Sequence, residues 1–243
     1  MTISERWRGL LVLLLTVAMA VVAWRVLPHQ DLAGYGHFAD DAGPGFNTLN
    51  VVSNAGFLIA GLVGLWRLPR KNAAAMALFG GVVATAFGSA YFHVRPLIGE
   101  ELNRFTLLWD RLPMTVAFAG LLALVLHDRG VESRLALPLL TAAGVGTVLW
   151  WYWSRDLFPY GFFQLYAAAG TLLMITILRP RFTEAGYVVA GVVLFGVAKL
   201  FEDLDHEIFR KWPVGGHPLK HVAGALAALM ILLWLTKRKQ TTA

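Results

Sequence analysis

Long runs of apolar residues alternate with short polar segments along this chain of 243 residues. Each run is about twenty residues long, the length that an α-helix needs to cross a hydrocarbon core of ~30 Å. Only helices satisfy their own backbone hydrogen bonds inside lipid, and the alternation typical of a β-barrel is absent. The pattern therefore predicts an all-α integral membrane protein whose eight spans lie at 9–27, 49–68, 73–94, 105–126, 135–153, 160–178, 185–203 and 217–236.

The composition agrees with a membrane protein and narrows the chemistry. Hydrophobic residues make up 57% of the chain, charged residues 15%, and the mean hydropathy is +0.60. Soluble domains average about half apolar and a quarter charged. The chain contains no cysteine, which excludes disulfides, thiolate zinc sites, iron–sulfur clusters and cysteine nucleophiles. Any transition metal must therefore be bound by histidine and carboxylate.

The distribution of charge predicts how the chain is oriented. The net charge is +6, but the basic residues lie in short loops between apolar runs, which is typical of membrane topology rather than of a nucleic-acid-binding face. With a cytoplasmic amino terminus, the cytoplasmic segments hold 12 basic and 4 acidic residues, against 9 basic and 11 acidic residues elsewhere. The positive-inside rule favours this orientation. We therefore expect an integral membrane protein with both termini in the cytoplasm.

The spans suggest a division of the chain into four parts. We expect a transmembrane anchor at 1–30, an extracytoplasmic loop at 31–48, a seven-helix core at 49–236 and a basic cytoplasmic tail at 237–243. The first run resembles a signal peptide, since Ala18-Met19-Ala20 looks like a cleavage site. The apolar run nevertheless continues through Trp24, which favours an anchor that is not cleaved.

Polar and ionisable residues collect at the outward-facing ends of the predicted spans. Ionisable groups in or near lipid are costly, so such a cluster indicates a functional site on the periplasmic side. The group comprises six histidines (His29, His37, His93, His206, His217 and His221), Asp110 at the start of the fourth span, Glu202, Asp203 and Asp205 at the end of the seventh, and Ser89 within the third.

Two spacings within this group point to chemistry. Ser89 and His93 are four residues apart, as are His217 and His221, so each pair shares one face of a helix. Pro218 is tolerated in a first turn, which predicts a helix that begins at His217. Two histidines at this spacing supply half of a zinc site, and a third from another helix completes a three-ligand centre that is open to water. Taken singly, each feature also has a structural explanation, such as a hydrated histidine pair, a helix-packing serine or a rim ion pair between Asp110 and the next residue, an arginine.

Four motifs follow one another along the chain: FNTLNVVSN at 46–54, GSAYFH at 88–93, LLWDRLPM at 107–114 and GHPLKH at 216–221. This ordered set resembles the alkaline ceramidase family, in its bacterial form. The resemblance covers about residues 38–236 and extends to the wider superfamily of seven-helix membrane hydrolases, which includes adiponectin-type receptors and lipid-remodelling enzymes. The first span would then precede a seven-helix core, and a bacterial member would lie in the inner membrane.

The resemblance implies a metal site and an activity. It implies a zinc ion bound by His93, His217 and His221, with Asp110 and Ser89 beside the metal, and hydrolysis of the amide bond of ceramide-like N-acyl lipids taken from the bilayer. Eukaryotic members also bind calcium through an acidic amino-terminal segment. Asp40 and Asp41 are present here, but Asn47 stands where a glutamate would be expected, so calcium is less favoured than zinc.

This hypothesis assigns roles to individual residues. Asp110 would act as general base and then general acid, and Ser89 would donate to the oxyanion. The outer nitrogens of metal-bound histidines need acceptors, and the lysines near the site are expected to extend toward water. The candidate acceptors are Glu202, Asp203, Asp205 and Asn50, and the lysines are Lys199 and Lys220; His206 is expected at the rim.

Three other functions stay open from the sequence alone. A zinc-dependent lipid esterase or phospholipase-type enzyme would use the same centre on a different bond. A lipid receptor would need a soluble partner, and the short loops offer little surface for one. A transporter or proton conductor would use the ionisable residues as a relay, but charges in the cytoplasmic halves of the spans, which would complete the path, are missing.

Overall fold

The computed structural model describes residues 3–29, 47–70, 72–94, 100–131 and 134–241. Isolated β-bridges occur, such as the one between Phe182 and Gln240, but these ranges contain no strand. The all-α prediction is therefore confirmed. The helices in these ranges are α1 (Ile3–Val26), α2 (Thr48–Val52), α3 (Ala55–Arg67), α4 (Ala73–Val94), α5 (Glu100–Asp128), α6 (Ala136–Ser154), α7 (Phe158–Leu165), α8 (Thr171–Ile177), α9 (Ala185–Asp203), α10 (Asp205–Lys211) and α11 (Gly216–Lys237).

Seven helical segments of the described chain are long and apolar enough to cross a membrane. Each coincides with a predicted run. The remaining run, 135–153, is the 19-residue helix α6, whose mean hydropathy is lowered by the aromatic stretch 150–153 at its end. An eighth crossing therefore remains a prediction. The seven segments are Arg6–Val26, Thr48–Arg67, Ala73–Val94, Asn103–Asp128, Phe158–Ile177, Ala185–Asp203 and Gly216–Lys237.

Two of these segments are not continuous α-helices. A turn at Ser53 and Asn54 separates α2 from α3, and a π-helical turn over Tyr166–Gly170 separates α7 from α8. Turns of the π type are frequent at functional sites, because they redirect side chains that a regular helix would hold on one face. Both interruptions border the cavity or the histidines of the candidate site.

Helices α4 and α5 form the centre of the bundle. Phe79 of α4 and Leu122 and Val125 of α5 are fully buried in the same core cluster. Gly81 and Gly120 lie where these helices meet, as expected for membrane helices, whose association depends on close backbone packing rather than on the hydrophobic effect. Helix α3 packs on α4 and α6 packs on α5, while α11 packs on α3 and α9 packs on α11. Residues of α4, α5, α9 and α11 together line the cavity of the candidate site.

Backbone hydrogen bonds between loops mark the two ends of the bundle. At one end, the backbone N–H of Arg181 donates to the carbonyl of Asp128 at 2.9 Å. At the other end, the N–H of Leu157 donates to the carbonyl of His29 at 2.9 Å. Because α6 connects these two ends, it runs through the full length of the bundle.

Helix α1 lies at the edge of the bundle. Only 6% of its most apolar stretch is buried inside the bundle, and its surface carries exposed apolar side chains such as Leu13, Leu14 and Val22. Its helix contacts are concentrated on α7 and α8. The histidines of the candidate site are on α4 and α11, so α1 supplies no ligand to that site.

Candidate metal centre

Three buried histidines from two helices converge at one end of the bundle. His93 is at the end of α4, and His217 and His221 lie one turn apart at the start of α11. Each of them is at most 3% exposed. One ring nitrogen of each histidine lies within 4.8 Å of the corresponding nitrogens of the other two. The structure thus brings together the three histidines proposed from the sequence.

The donor set fits a metal ion. The Nε2 atoms of His93 and His217 are 3.1 Å apart, whereas the ligand nitrogens of tetrahedral zinc, with Zn–N of 2.0–2.1 Å, are about 3.3 Å apart. Neutral imidazole is the form that binds metals. Three imidazoles whose nitrogens lie this close together could therefore hold a metal ion, with a further coordination position left for water or substrate.

His221 is oriented by a residue that the sequence did not assign to the site. The Nδ1 atom of His221 lies 2.7 Å from Ser53 Oγ, and this hydroxyl donates to the carbonyl of Asn50 at 3.2 Å. The carbonyl of Asn50 is also within hydrogen-bonding reach of the His221 ring. These contacts occupy Nδ1 and leave Nε2 for the metal, as expected for an outer-sphere partner.

Asp205 positions His217 through the backbone. Its Oδ1 atom accepts the N–H groups of Gly216 at 2.7 Å and of His217 at 2.8 Å. These are two of the donors that a helix amino terminus leaves without partners. The carboxylate thus fixes the first turn of α11, which starts at Gly216, one residue before the predicted start. Asp205 was one of four candidate acceptors for a histidine ring, and these contacts give it a role toward the backbone.

Ser89 and Asp110 lie together beside the histidines. Ser89, on α4, is one turn before His93, and its side chain hydrogen-bonds to the carboxylate of Asp110 on α5. Gly88 permits this contact, because a Cβ at that position would collide with the carbonyl of Trp109. Both residues line the same cavity as the histidines, so the structure places the two predicted neighbours of the metal beside the histidine cluster.

Pro113 explains why α5 leaves room at this point. Proline has no N–H to donate to the carbonyl four residues earlier, which here is that of Trp109. That carbonyl faces Gly88 of α4, so the unpaired helix oxygen meets a Cα–H group, a weak but favourable contact. The glycine and the proline together bring Asp110 next to Ser89.

A group of three charged residues forms one wall of the site. Glu202 of α9 accepts hydrogen bonds from both Lys199 of α9 and Lys220 of α11. Lys220 is only partly exposed, and it lies between His217 and His221 in sequence. Glu202 therefore neutralises one ammonium group, and the three residues together leave one positive charge in the cavity wall. The expectation that both lysines only extend toward water is incomplete.

The histidines close one end of an elongated apolar cavity of about 190 Å³. The cavity follows α11 from His217 to Ile231, roughly 21 Å at 1.5 Å per residue. Its walls are mostly apolar side chains such as Leu78, Leu121 and Phe195, and the π-helical turn contributes Ala167. An elongated, largely apolar chamber that ends at a polar centre fits one long hydrocarbon chain.

The remaining predicted site residues lie away from the histidine cluster or outside the described ranges. Asp203 and His206 are exposed. His29 pairs with Asp156 at 3.6 Å, at the same end of the bundle but outside the cavity. His37 and the two candidate calcium ligands, Asp40 and Asp41, fall in the segment that lies outside the described residues.

Arg111 contributes to the cavity in a way that the sequence did not reveal. The sequence suggests a rim ion pair with Asp110 for this residue. Its guanidinium group also lies over the ring of Trp151 at 3.8 Å and near that of Tyr160 at 5.0 Å, and the residue is 3% exposed, which places it in the interior and not at the rim. A stacked, buried arginine of this kind is a cation–π contact that holds α5 against α6 and α7.

Comparison of the chain with family models, curated proteins and solved structures gave no match.

Proposed function

We propose that this protein is a zinc-dependent membrane hydrolase that cleaves the amide bond of ceramide-like N-acyl lipids. One observation carries the proposal: three buried histidines with converging nitrogens lie beside a Ser89–Asp110 pair at the end of an apolar cavity. A structural histidine cluster would not require a carboxylate, a hydroxyl and a chamber for a hydrocarbon chain at the same point. The motif resemblance to alkaline ceramidases supports the same assignment.

The donor set favours zinc over other ions. Imidazole suits zinc, copper, iron and nickel, whereas calcium and magnesium prefer oxygen ligands. Three histidines with one open position are typical of catalytic zinc. A zinc ion bound there would polarise a carbonyl oxygen and supply a water with a pKa of ~7.

Asp110 and Ser89 supply the proton-transfer chemistry of the proposed reaction. Asp110 would accept the proton of the attacking water and pass it to the leaving amine, a general acid–base role. Ser89 donates to Asp110 in the structure and thereby orients it. Once a substrate is bound, the same hydroxyl is available to the carbonyl oxygen that gains negative charge.

The cavity supports a lipid substrate. An acyl chain would lie along α11 toward Ile231, where the walls are apolar, and its amide would reach the histidine end. The positive charge left by Lys199, Glu202 and Lys220 lies where the head group would be, at the polar end. Amide or ester selectivity then depends on the leaving group.

We infer that the chain crosses the membrane eight times, with both termini in the cytoplasm and the metal centre near the periplasmic side. The inference rests on the excess of basic residues at the end that holds Arg129, Arg179 and Arg238, and on the course of α6 through the bundle. A reporter fused to the carboxy terminus should be inaccessible from the periplasm. Periplasmic labelling of this reporter would reverse the orientation.

The test of the proposed function starts with the metal. Purified protein should contain about one zinc per chain, and His221→Ala should lose it, since a metal measurement needs no substrate. A panel of N-acyl and O-acyl lipids with matched chains then separates amide from ester hydrolysis. Absence of zinc from protein purified without chelator would refute the hydrolase, and hydrolysis of esters alone would assign the same centre to an esterase.

A further inference from the structure

A second cavity, of about 390 Å³, lies at the opposite end of the bundle from the histidines. It is bordered by the start of α1, the end of α5, the end of α8 and the segment that leads into α9. The cavity shares no lining residue with the metal centre, so a ligand bound in it does not depend on the proposed hydrolase function.

The polar side chains of this cavity are mainly cationic. Arg8, Arg129 and Arg179 line it, and Glu184 is the one carboxylate among the described lining residues. The neighbouring Asp128 is shared between Arg129, with Nε 3.1 Å from Oδ2, and Arg238, with Nη1 3.7 Å from Oδ1. Because Arg129 and Arg238 share this single carboxylate, Asp128 does not cancel the positive charge of the two guanidinium groups. The cavity favours an anion.

Arg129 provides the most specific feature. Its side chain is 2% exposed, and its Nη1 donates to the carbonyl of Leu178 at 3.4 Å. Within the described residues its Nη2 has no hydrogen-bond acceptor. A buried guanidinium nitrogen left without an acceptor is unfavourable, because its lost hydration is not replaced by a hydrogen bond within the protein. A ligand with several acceptor oxygens would remove this penalty.

Phosphate is the anion that best fits these donors. The planar guanidinium group matches the oxygens of a phosphate with two parallel hydrogen bonds. The lining residues Ile175, Leu178 and Phe182 add apolar surface beside the arginines, and the exposed apolar face of α1 continues from Arg8 toward the bilayer. An amphiphile with an anionic head and hydrocarbon chains would satisfy both surfaces, whereas a free anion would use only the first.

We propose that this cavity binds the phosphate of an anionic phospholipid, with Arg8, Arg129 and Arg179 around the head group and the acyl chains along α1 and α8. Basic pockets between membrane helices on the cytoplasmic side bind phospholipid head groups of this class. Under the predicted orientation the cavity faces the cytoplasmic leaflet, where anionic lipids are enriched.

The test compares two double variants of equal charge. In R8Q/R179Q the two cavity arginines that are not tied to Asp128 are removed, so the buried ion pair stays intact. In the control R67Q/R70Q two exposed arginines are removed, one at the end of α3 and one in the loop after it, and neither lines the cavity. Binding of phosphatidylglycerol and of phosphatidylcholine to the detergent-solubilised protein is measured by native mass spectrometry, and folding is checked by thermal denaturation.

The parent should bind phosphatidylglycerol in preference to phosphatidylcholine. An arginine near an anionic lipid surface typically contributes about 1 kcal/mol to binding. The loss of two arginines in R8Q/R179Q should therefore weaken phosphatidylglycerol binding roughly 30-fold, while R67Q/R70Q should bind it as tightly as the parent. An equal loss of phosphatidylglycerol affinity in both variants would show that binding depends on overall charge, and it would refute the proposed site. Stabilisation by inorganic phosphate without retention of phosphatidylglycerol would overturn the lipid as occupant.

Discussion

Replacing Ser53 by alanine tests whether the histidine cluster is built to hold a metal. The hydroxyl of Ser53 lies 2.7 Å from His221 Nδ1 and donates its own proton to the Asn50 carbonyl at 3.2 Å. Alanine removes this partner without changing any of the three metal-binding histidines. If the cluster binds zinc, Ser53→Ala should weaken the metal affinity and leave the fold intact.

The expected magnitude depends on the surroundings of Ser53. Loss of an outer-sphere partner typically lowers metal affinity about 10- to 100-fold, which corresponds to about 1.4–2.7 kcal/mol. Ser53 is only partly buried, so water can replace part of the lost hydrogen bond. The Asn50 carbonyl also remains near the His221 ring. Both features favour the lower end, an affinity loss of about tenfold.

The assay is a zinc competition against a chromogenic chelator of known affinity, carried out on purified protein in detergent. Ser154→Ala provides a matched control, because the Ser154 hydroxyl also donates to a backbone carbonyl, that of Trp150. Ser154 is exposed and does not line the cavity that holds His93, His217 and His221. His221→Ala defines complete loss of the ligand. Thermal denaturation of the metal-free proteins separates an effect on metal binding from an effect on folding.

The metal role of Ser53 would be refuted if Ser53→Ala bound zinc as tightly as the parent and the Ser154→Ala control, while His221→Ala lost it. That result would mean that the 2.7 Å contact orients His221 without affecting its strength as a ligand. An equal loss of stability in the metal-free Ser53→Ala protein would also count against the metal role, since the contact would then serve the fold.

Three further changes test the remaining parts of the site. Asp110→Asn should retain the metal and lower turnover about 10²- to 10⁴-fold; an unchanged turnover number in a zinc-loaded sample would remove Asp110 from the acid–base role. Gly88→Ala should lower the free energy of unfolding by about 1–3 kcal/mol, because the added Cβ meets the Trp109 carbonyl. The control Gly80→Ala should leave stability unchanged, because its Cβ meets nothing within 4 Å. Equal thermal midpoints for the two variants would contradict the close packing of α4 on α5. Asp205→Ala should lower the free energy of unfolding by about 0.5–2 kcal/mol and weaken metal binding, because it loosens the start of α11. Asp203→Ala, at an exposed position, is the control. Equal stability and equal metal affinity in the two variants would argue against the backbone cap.

Much of the fold could be predicted from the sequence because lipid leaves few alternatives. Runs of twenty apolar residues in lipid fold as helices, and seven of the eight predicted runs coincide with helices that are long and apolar enough to span. The π-helical turn at Tyr166–Gly170 was not predicted, because it leaves the apolar run uninterrupted. The eighth run was also found as a helix, α6, but its tryptophans make its hydropathy ambiguous.

The metal ligands could be proposed because spacing and topology converge on them. His217 and His221 share a helix face, and the count of spans puts His93 at the same end of the bundle. The contacts of the site could not be predicted, because they depend on how neighbouring helices approach each other. Ser53 is 168 residues from His221 along the chain, and the pairing of Lys220 with Glu202 depends on the rotation of two helices about their axes, which periodicity alone does not fix.

The separation of the ligands along the chain sets when the metal can be acquired. His93 precedes His217 by 124 residues, and both remaining ligands are in α11, the last helix of the described chain to be synthesised. A nascent chain that ends before Gly216 carries a single ligand of the three and cannot hold the ion. If the centre binds a metal ion as proposed, loading must therefore wait for α11, and a loaded centre would show that this helix has joined the bundle. During biogenesis the ion would act as a late cross-link between the early and the last-made parts of the protein.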